Sequence, residues 1–352
     1  MRVLSPKGWR GLLLAAFLTT SVAATTEIAG ATTGSSAIVA WTPSDSIVVL
    51  SASTGMTVRT LATHVLLIAP GLPNLSVAPS GTVYFDSGSS GADQIYRVPI
   101  TGGPVTLVTA GFDPQVSPNG TTLAFIAPEP GEQVPYLDQA GGVDIASTTS
   151  SGITDIHRLA PDPAQLNQGI FQLSWRSDSR ALSFDLLNGH SDITSFWTIS
   201  PTKDTESLAA ARQVPIHNAS LTWNGYGSQR IAGKYVGLGV LTSGSGAQQV
   251  VTVNPSTGRR QSTLFKVPGD ICVPVGPTSP PMTQPHPGPC TFPFNNSVSG
   301  DLSGGSILVA GATRTIASTG GHTAASLYRW EAKTKTLKGL TSGVDVATWA
   351  PS

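Results

Sequence analysis

Beyond residue 30 the chain is a succession of short apolar runs separated by polar punctuation. AIVAWTP from Ala37, SIVVLS from Ser46 and GTVYF from Gly81 are typical. Runs of this length, set between Gly, Pro, Ser and Asn, read as β-strands. No amphipathic pattern continues unbroken for three helical turns, so the expected class is all-β with few helices.

Two patterns recur. The first is an apolar residue or Trp, a small residue, Pro, a polar residue and Gly, followed by an apolar strand. It occurs as LSVAPSGTVYF (Leu75 to Phe85) and QVSPNGTTLAF (Gln115 to Phe125). QLSWRSDSRALSF (Gln172 to Phe184) keeps the flanks without the Pro and Gly, and looser copies begin at Ser220 and Ser297. Pro presets φ for a type I turn and Gly accepts the left-handed conformation, which together close a hairpin with a G1 bulge. The residue before each turn falls at Val77, Val116, Trp175, Trp223, Val298 and Trp349. That spacing is a unit of about 40 to 50 residues widened by inserted loops, as in propeller blades.

The second pattern is a β run ending in Thr-Gly or another polar pair, then a second β run. Copies start at Ser46, Gln94, Val143, Gln249 and Ser326, the last with Lys in place of Gly. Each reads as an outer hairpin, so one unit is four strands. The expectation is a six-bladed β-propeller of four-stranded antiparallel blades over residues 37–352. Its first blade is shared: VDVATWAPS at the C-terminus supplies the innermost strand and the region near residue 40 supplies three more, leaving no open edge. The rival is AIVAWTPSD as a first strand in its own right. Trp175, Trp223 and Trp349 then serve blade packing rather than a sugar platform.

Composition narrows the rest. Only 11% of the 352 residues are charged while 39% are apolar, too apolar for a disordered chain. Arg2, Lys7 and Arg10 precede the apolar stretch Gly11 to Leu18, and Ser21-Val22-Ala23 has the small-x-small form of a cleavage site. Residues 1–23 therefore read as an export signal and 24–36 as a linker, with an uncleaved anchor as the rival. Cleavage leaves 17 basic against 20 acidic groups, a surface with no pull on nucleic acid or acidic lipid. Cys272 and Cys290 bracket a Pro-rich loop and in an oxidising compartment read as one disulfide, contributing about 3 kcal/mol. His286 alone supplies no metal site.

The turns APSGTVYF and SPNGTTLAF, followed by IYRVPITGGPVTLVTAG, resemble the repeat of TolB-type β-propellers. The likeness covers most of residues 37–352, is specific in the second and third units and weak in the fifth and sixth. That family's usual turn is Ser-Pro-Asp-Gly; here Ser80 and Asn119 stand in place of its Asp, and no role of that carboxylate carries over. The resemblance implies a protein-interaction platform of the cell envelope, without cofactor or metal. Envelope or extracellular protein is the expected partner, with polysaccharide or a small ligand as alternatives, and the chain is expected to be monomeric. The N-terminal domain that accompanies the propeller in TolB itself has no counterpart in residues 24–36.

Strand alternation places the compact turns on one face of the disc and the longer loops on the other. Those longer pieces are Ala127 to Gly142, Leu186 to Ser195 and the Cys272–Cys290 loop. Long loops carry recognition more often than tight turns, which makes Tyr136, Asp138, His190, Asp192 and His286 the candidate binding residues. Each also has a plain reading as a solvated or backbone-capping loop residue. No catalytic motif survives inspection: GHSDI at Gly189 lacks the closing Gly of a nucleophile elbow, and GLGVLT at Gly237 breaks the dinucleotide fingerprint. An enzyme acting at the central channel mouth, a hydrolase or lyase on carbohydrate or lactone substrates, is the alternative function. The inner strands as read are short of the Asp, Glu and His it would need.

Overall fold

The computed structural model describes residues 37–42, 44–65, 75–88, 94–128, 141–161, 168–188, 192–202, 211–215, 221–231, 234–242, 248–254, 257, 259–266, 290–291, 297–301, 304–311, 313–314, 326–344 and 346–350. The expected leader and linker lie outside them. Among the described residues there is no helix, and the strands form four-stranded antiparallel sheets.

The first sheet holds β1 (Ala37–Thr42), β2 (Ser46–Ser51) and β3 (Thr57–Thr63). The second holds β4 (Leu75–Val77), β5 (Thr82–Ser87), β6 (Gln94–Pro99) and β7 (Thr106–Ala110). The third holds β8 (Phe112–Val116), β9 (Thr122–Pro128), β10 (Gly141–Thr148) and β11 (Ile153–Ala160). The fourth holds β12 (Gln168–Trp175), β13 (Leu182–Asn188), β14 (Asp192–Ile199) and β15 (Arg212–Pro215). The fifth holds β16 (Leu221–Ile231), β17 (Lys234–Thr242), β18 (Gln248–Val253) and β19 (Arg260–Lys266). A small pair is made by β20 (Cys290–Thr291), which precedes the last sheet in sequence, and β23 (Thr313–Arg314), which falls between two of that sheet's strands. That sheet holds β21 (Ser297–Gly300), β22 (Ser306–Gly311), β24 (Ser326–Glu331) and β25 (Thr336–Ser342).

The last strand, β26 (Val346–Trp349), joins the first sheet, pairing Ile38 with Trp349 and Trp41 with Val346. β1 is thus a second strand, and the two ends of the propeller region share one sheet as the sequence suggested. Each sheet packs on the next in chain order: β4 on β1 and β26, β8 on β4 and β5, β12 on β8 and β9, β16 on β12 and β13, β21 on β16, and β26 on β21 and β22. This is a propeller of four-stranded blades.

Both faces of the inner strands are buried, which explains their unbroken apolar runs. In β1, Val39 and Trp41 pack toward the second sheet while Ile38 and Ala40 pack toward the last. In β9, Leu123 and Phe125 face the second sheet while Ala124 and Ile126 face the fourth. Among the described residues, apolar cores of this kind fill five seams between neighbouring sheets.

The turns form as their sequences dictate. Gly120 donates to the Ser117 carbonyl at 2.7 Å with φ of 75°, and Gly81 donates to Ala78 at 2.8 Å with φ of 80°. Where the fourth sheet lacks the Gly, Ser179 takes φ of 60°, and Lys335 takes 55° in the outer hairpin of the last sheet.

Two expectations are corrected. Leu186 to Ser195 is not a long loop: β13 runs to Asn188 and β14 resumes at Asp192, paired with it. Asn188-Gly189 is a hairpin turn signal, and its flanks are β-favouring. Trp223 does not precede a turn: β16 continues to Ile231, paired with Lys234, and Gly225 and Gly227 stand where register shifts interrupt the ladder.

Candidate functional site

Of the expected binding residues, Tyr136, Asp138, His190 and His286 lie outside the described residues, as does Cys272. Asp192 opens β14, and Cys290 stands in β20 opposite Arg314. The geometry that is described centres instead on the innermost strands, on residues the repeat reading passed over.

Each of β8 and β12 carries a bulge, between Phe112 and Gln115 and between Phe171 and Ser174. A bulge frees a backbone N–H from the ladder, and a buried N–H must find another acceptor. The preceding sheet supplies one each time. Asp86 at the end of β5 accepts the Asp113 N–H at 2.8 Å through Oδ2. Asp113 in turn accepts the Leu173 N–H at 2.6 Å through its own Oδ2, and Gln115 Nε2 donates to its Oδ1 at 3.1 Å. The two carboxylates therefore link the second, third and fourth sheets in series. Asp113 sits at φ of 52°, a conformation that Asp tolerates better than most residues.

The same logic continues along the inner edge. Ser76 Oγ accepts the Val116 N–H at 2.8 Å, and Ser299 Oγ accepts the Trp349 N–H at 3.4 Å, each from the following sheet. Trp175 Nε1 donates to the Gln115 carbonyl at 2.8 Å. Trp175 and Trp349 are both buried, as blade-packing residues should be.

Asp113 is 1% exposed, and burial pushes its carboxyl up to about 7, against the pull of its N–H and amide donors. Its burial keeps it from reaching a bulky substrate, so its chemistry is that of an acceptor for neighbouring backbone. Among the described residues no group of His, Cys, Asp and Glu is placed to hold a metal ion. The signal for Asp86 was present in the repeat: the copies ending at Phe85 and Phe184 are both followed by Asp.

The opposite edge of the sheets differs. Met56, Val58, Val105, Leu107 and Ile156 are large and exposed. All lie on or beside β3, β7 and β11, the outermost strands of three consecutive sheets. On the turn side, cations tie neighbours together. Arg59 donates to the Ile100 carbonyl, Arg97 to those of Ser150 and Ser151, Arg329 to Ala52 and Lys338 to Ser53.

No family model matches the chain, and no curated protein matches it. Solved structures do. A chain from a nidogen/laminin complex superposes with a TM-score of 0.54 at 13% identity, covering 90% of this chain and 98% of that one. A protein of unknown function from Bacteroides caccae gives 0.51 at 11% identity, over 90% and 100% of the two chains. A putative TolB from Agrobacterium tumefaciens gives 0.48 at 11% identity, over 88% and 91%. At these identities the likeness to the first two establishes the fold alone. No helix among the described residues is long and apolar enough to cross a membrane.

Proposed function

We propose that this chain is an exported six-bladed propeller that binds a protein partner through its rim and long-loop face, without catalysis of its own. The observation that carries the reading is the placement of the exposed apolar side chains. Among the described residues, the five large exposed ones lie on or beside the outer strands of the first three sheets. Exposed apolar groups concentrated in this way favour contact with another protein. The inner carboxylates support the same reading, since Asp86 and Asp113 are both engaged with backbone N–H groups of the next sheet.

Export rests on residues 1–23. The loops carrying Tyr136, Asp138 and His286 belong to the proposed recognition surface together with the rim, as does the short connection from β13 to β14 that holds His190 and leads into Asp192. The test is crosslinking and capture from the native envelope or medium. It compares wild type, a Val58→Ser/Leu107→Ser/Ile156→Ser variant, and a variant lacking residues 129–140 and 271–289. Loss of a specific partner in either variant is expected. Retention of every partner in both, with folding intact, sinks the platform reading. Turnover of carbohydrate or lactone substrates by wild type would establish the enzymatic alternative instead.

A further inference from the structure

We propose that Asp113 is a proton-controlled latch on the seam between the third and fourth sheets, holding β12 when protonated and straining the seam when ionised. The geometry comes first. Its carboxyl lies between two bulged strands and faces the Leu173 N–H, the Gln115 amide and, through its own N–H, the Asp86 carboxylate.

The strands packed on β8 are β4, β5, β6, β9 and β12. β4, β9 and β12 carry no titratable side chain. β5 brings Tyr84 and Asp86, and β6 brings Tyr96 and Arg97. Arg97, the single cation of the set, is turned to Thr106, to the Tyr84 hydroxyl and to the Ser150 and Ser151 carbonyls of the third sheet's outer turn. Among the described residues, the Asp113 carboxylate is thus buried beside dipoles with no cation among its partners, the condition under which ionisation is most costly. Protonation suits the site, because Gln115 can present its oxygen to the new O–H by turning its amide.

The direction follows from linkage. Asp113 titrates near 7 in the folded chain and near 3.8 when released. The closed seam therefore binds the proton more tightly than the open one. Its extra stability is present at low pH and is lost as pH rises from about 4 through about 7. Opening that frees the carboxyl to water should become about a hundredfold more frequent between about pH 5 and about pH 8.5, the part of the linkage that falls within this window.

Hydrogen exchange read on peptides covering 168–175, corrected for the intrinsic pH dependence of exchange, tests the latch. Protection in wild type should fall by up to that factor over this range. In Asp113→Asn, which keeps an acceptor for Leu173, protection should become nearly independent of pH. An equal pH dependence in both proteins overturns the latch. Should the variant not fold, the Asp113 Cγ resonance of wild type decides: a midpoint near 7 supports it and one near 4 overturns it.

Discussion

Trp175 and Trp349 are the same position in two copies of the repeat, yet their indole N–H groups are treated differently. Trp175 Nε1 donates to the Gln115 carbonyl at 2.8 Å, whereas Trp349 Nε1 is buried with no hydrogen-bond partner among the described residues. Replacing either with Phe removes similar volume from a seam, a loss of about 1–2 kcal/mol. At Trp175 the change also strands the Gln115 carbonyl, adding about 1 kcal/mol at the partly buried end of the range. At Trp349 it removes an unsatisfied donor and returns about 1–2 kcal/mol. Part of that return is offset by a weaker contact with Arg329, whose guanidinium lies 5.4 Å from the indole centroid, a term of about 0.5 kcal/mol.

Trp175→Phe should therefore cost about 2–3 kcal/mol and Trp349→Phe less than about 1 kcal/mol. Urea unfolding followed by far-UV circular dichroism and by hydrogen exchange measures both, with an unchanged m value required before midpoints are compared. The expected result is a clear separation of the two midpoints, with Trp349→Phe close to wild type. Equal losses, or a larger loss at Trp349, would refute the reasoning that satisfaction of the N–H, rather than volume, separates the two sites.

Gly142→Ala should be among the more damaging single-atom changes on the third sheet. A Cβ there would stand 2.1 Å from Arg158 Nη1 and 2.7 Å from the Ala160 carbonyl, displacing the ion pair between Arg158 and Asp144. A loss of about 2–4 kcal/mol is expected in thermal or urea unfolding. Adding Arg158→Ala should recover only part of it, since the backbone contact remains; full recovery would show that the guanidinium alone sets the cost. Lys335→Gly should stabilise by up to about 1 kcal/mol by relieving a left-handed Lys, measured as a higher unfolding midpoint. Ser179→Gly should gain less, because the Ser179 hydroxyl accepts the Asn119 N–H at 3.0 Å; an equal gain would show that bond to be inert.

The sheets were legible because the inner strands are short and apolar on both faces, and turns such as those at Pro79-Gly81 and Pro118-Gly120 are set by Pro and Gly. The shared first sheet was legible for the same reason, since a lone terminal strand and three leading ones make one complete unit. What escaped were features that depend on neighbours across a seam. Asp113 sits between Phe112 and Pro114 and looks like a strand-start residue until the Leu173 N–H is placed beside it. Asp86 stands next to last in its strand, and the Asp113 N–H that it accepts belongs to the following sheet, 27 residues on. In β16, Gly225 and Gly227 looked like a turn, yet the partner strand absorbs them as irregularities of register. The loop residues proposed for binding rested on length alone, and length misled at Leu186 to Ser195, where a two-sided β pattern continues through the hairpin.

How a partner would be read follows from the state of the two sheet edges. The inner edge is engaged from sheet to sheet: side chains of Asp86, Ser76, Asp113 and Ser299 take N–H groups of the next inner strand. The outer edge is interrupted, with register shifts where β3, β7, β11, β19 and β25 meet their neighbours. Bulged outer strands resist the addition of a further strand. Main-chain pairing is therefore a poor route for recognition at the rim, and side chains such as Val58, Leu107 and Ile156 are what the rim offers. A partner bound there should tolerate backbone-amide changes in its own segment and respond sharply to polar replacement of those three residues, because its affinity would come from apolar area rather than from a ladder of hydrogen bonds.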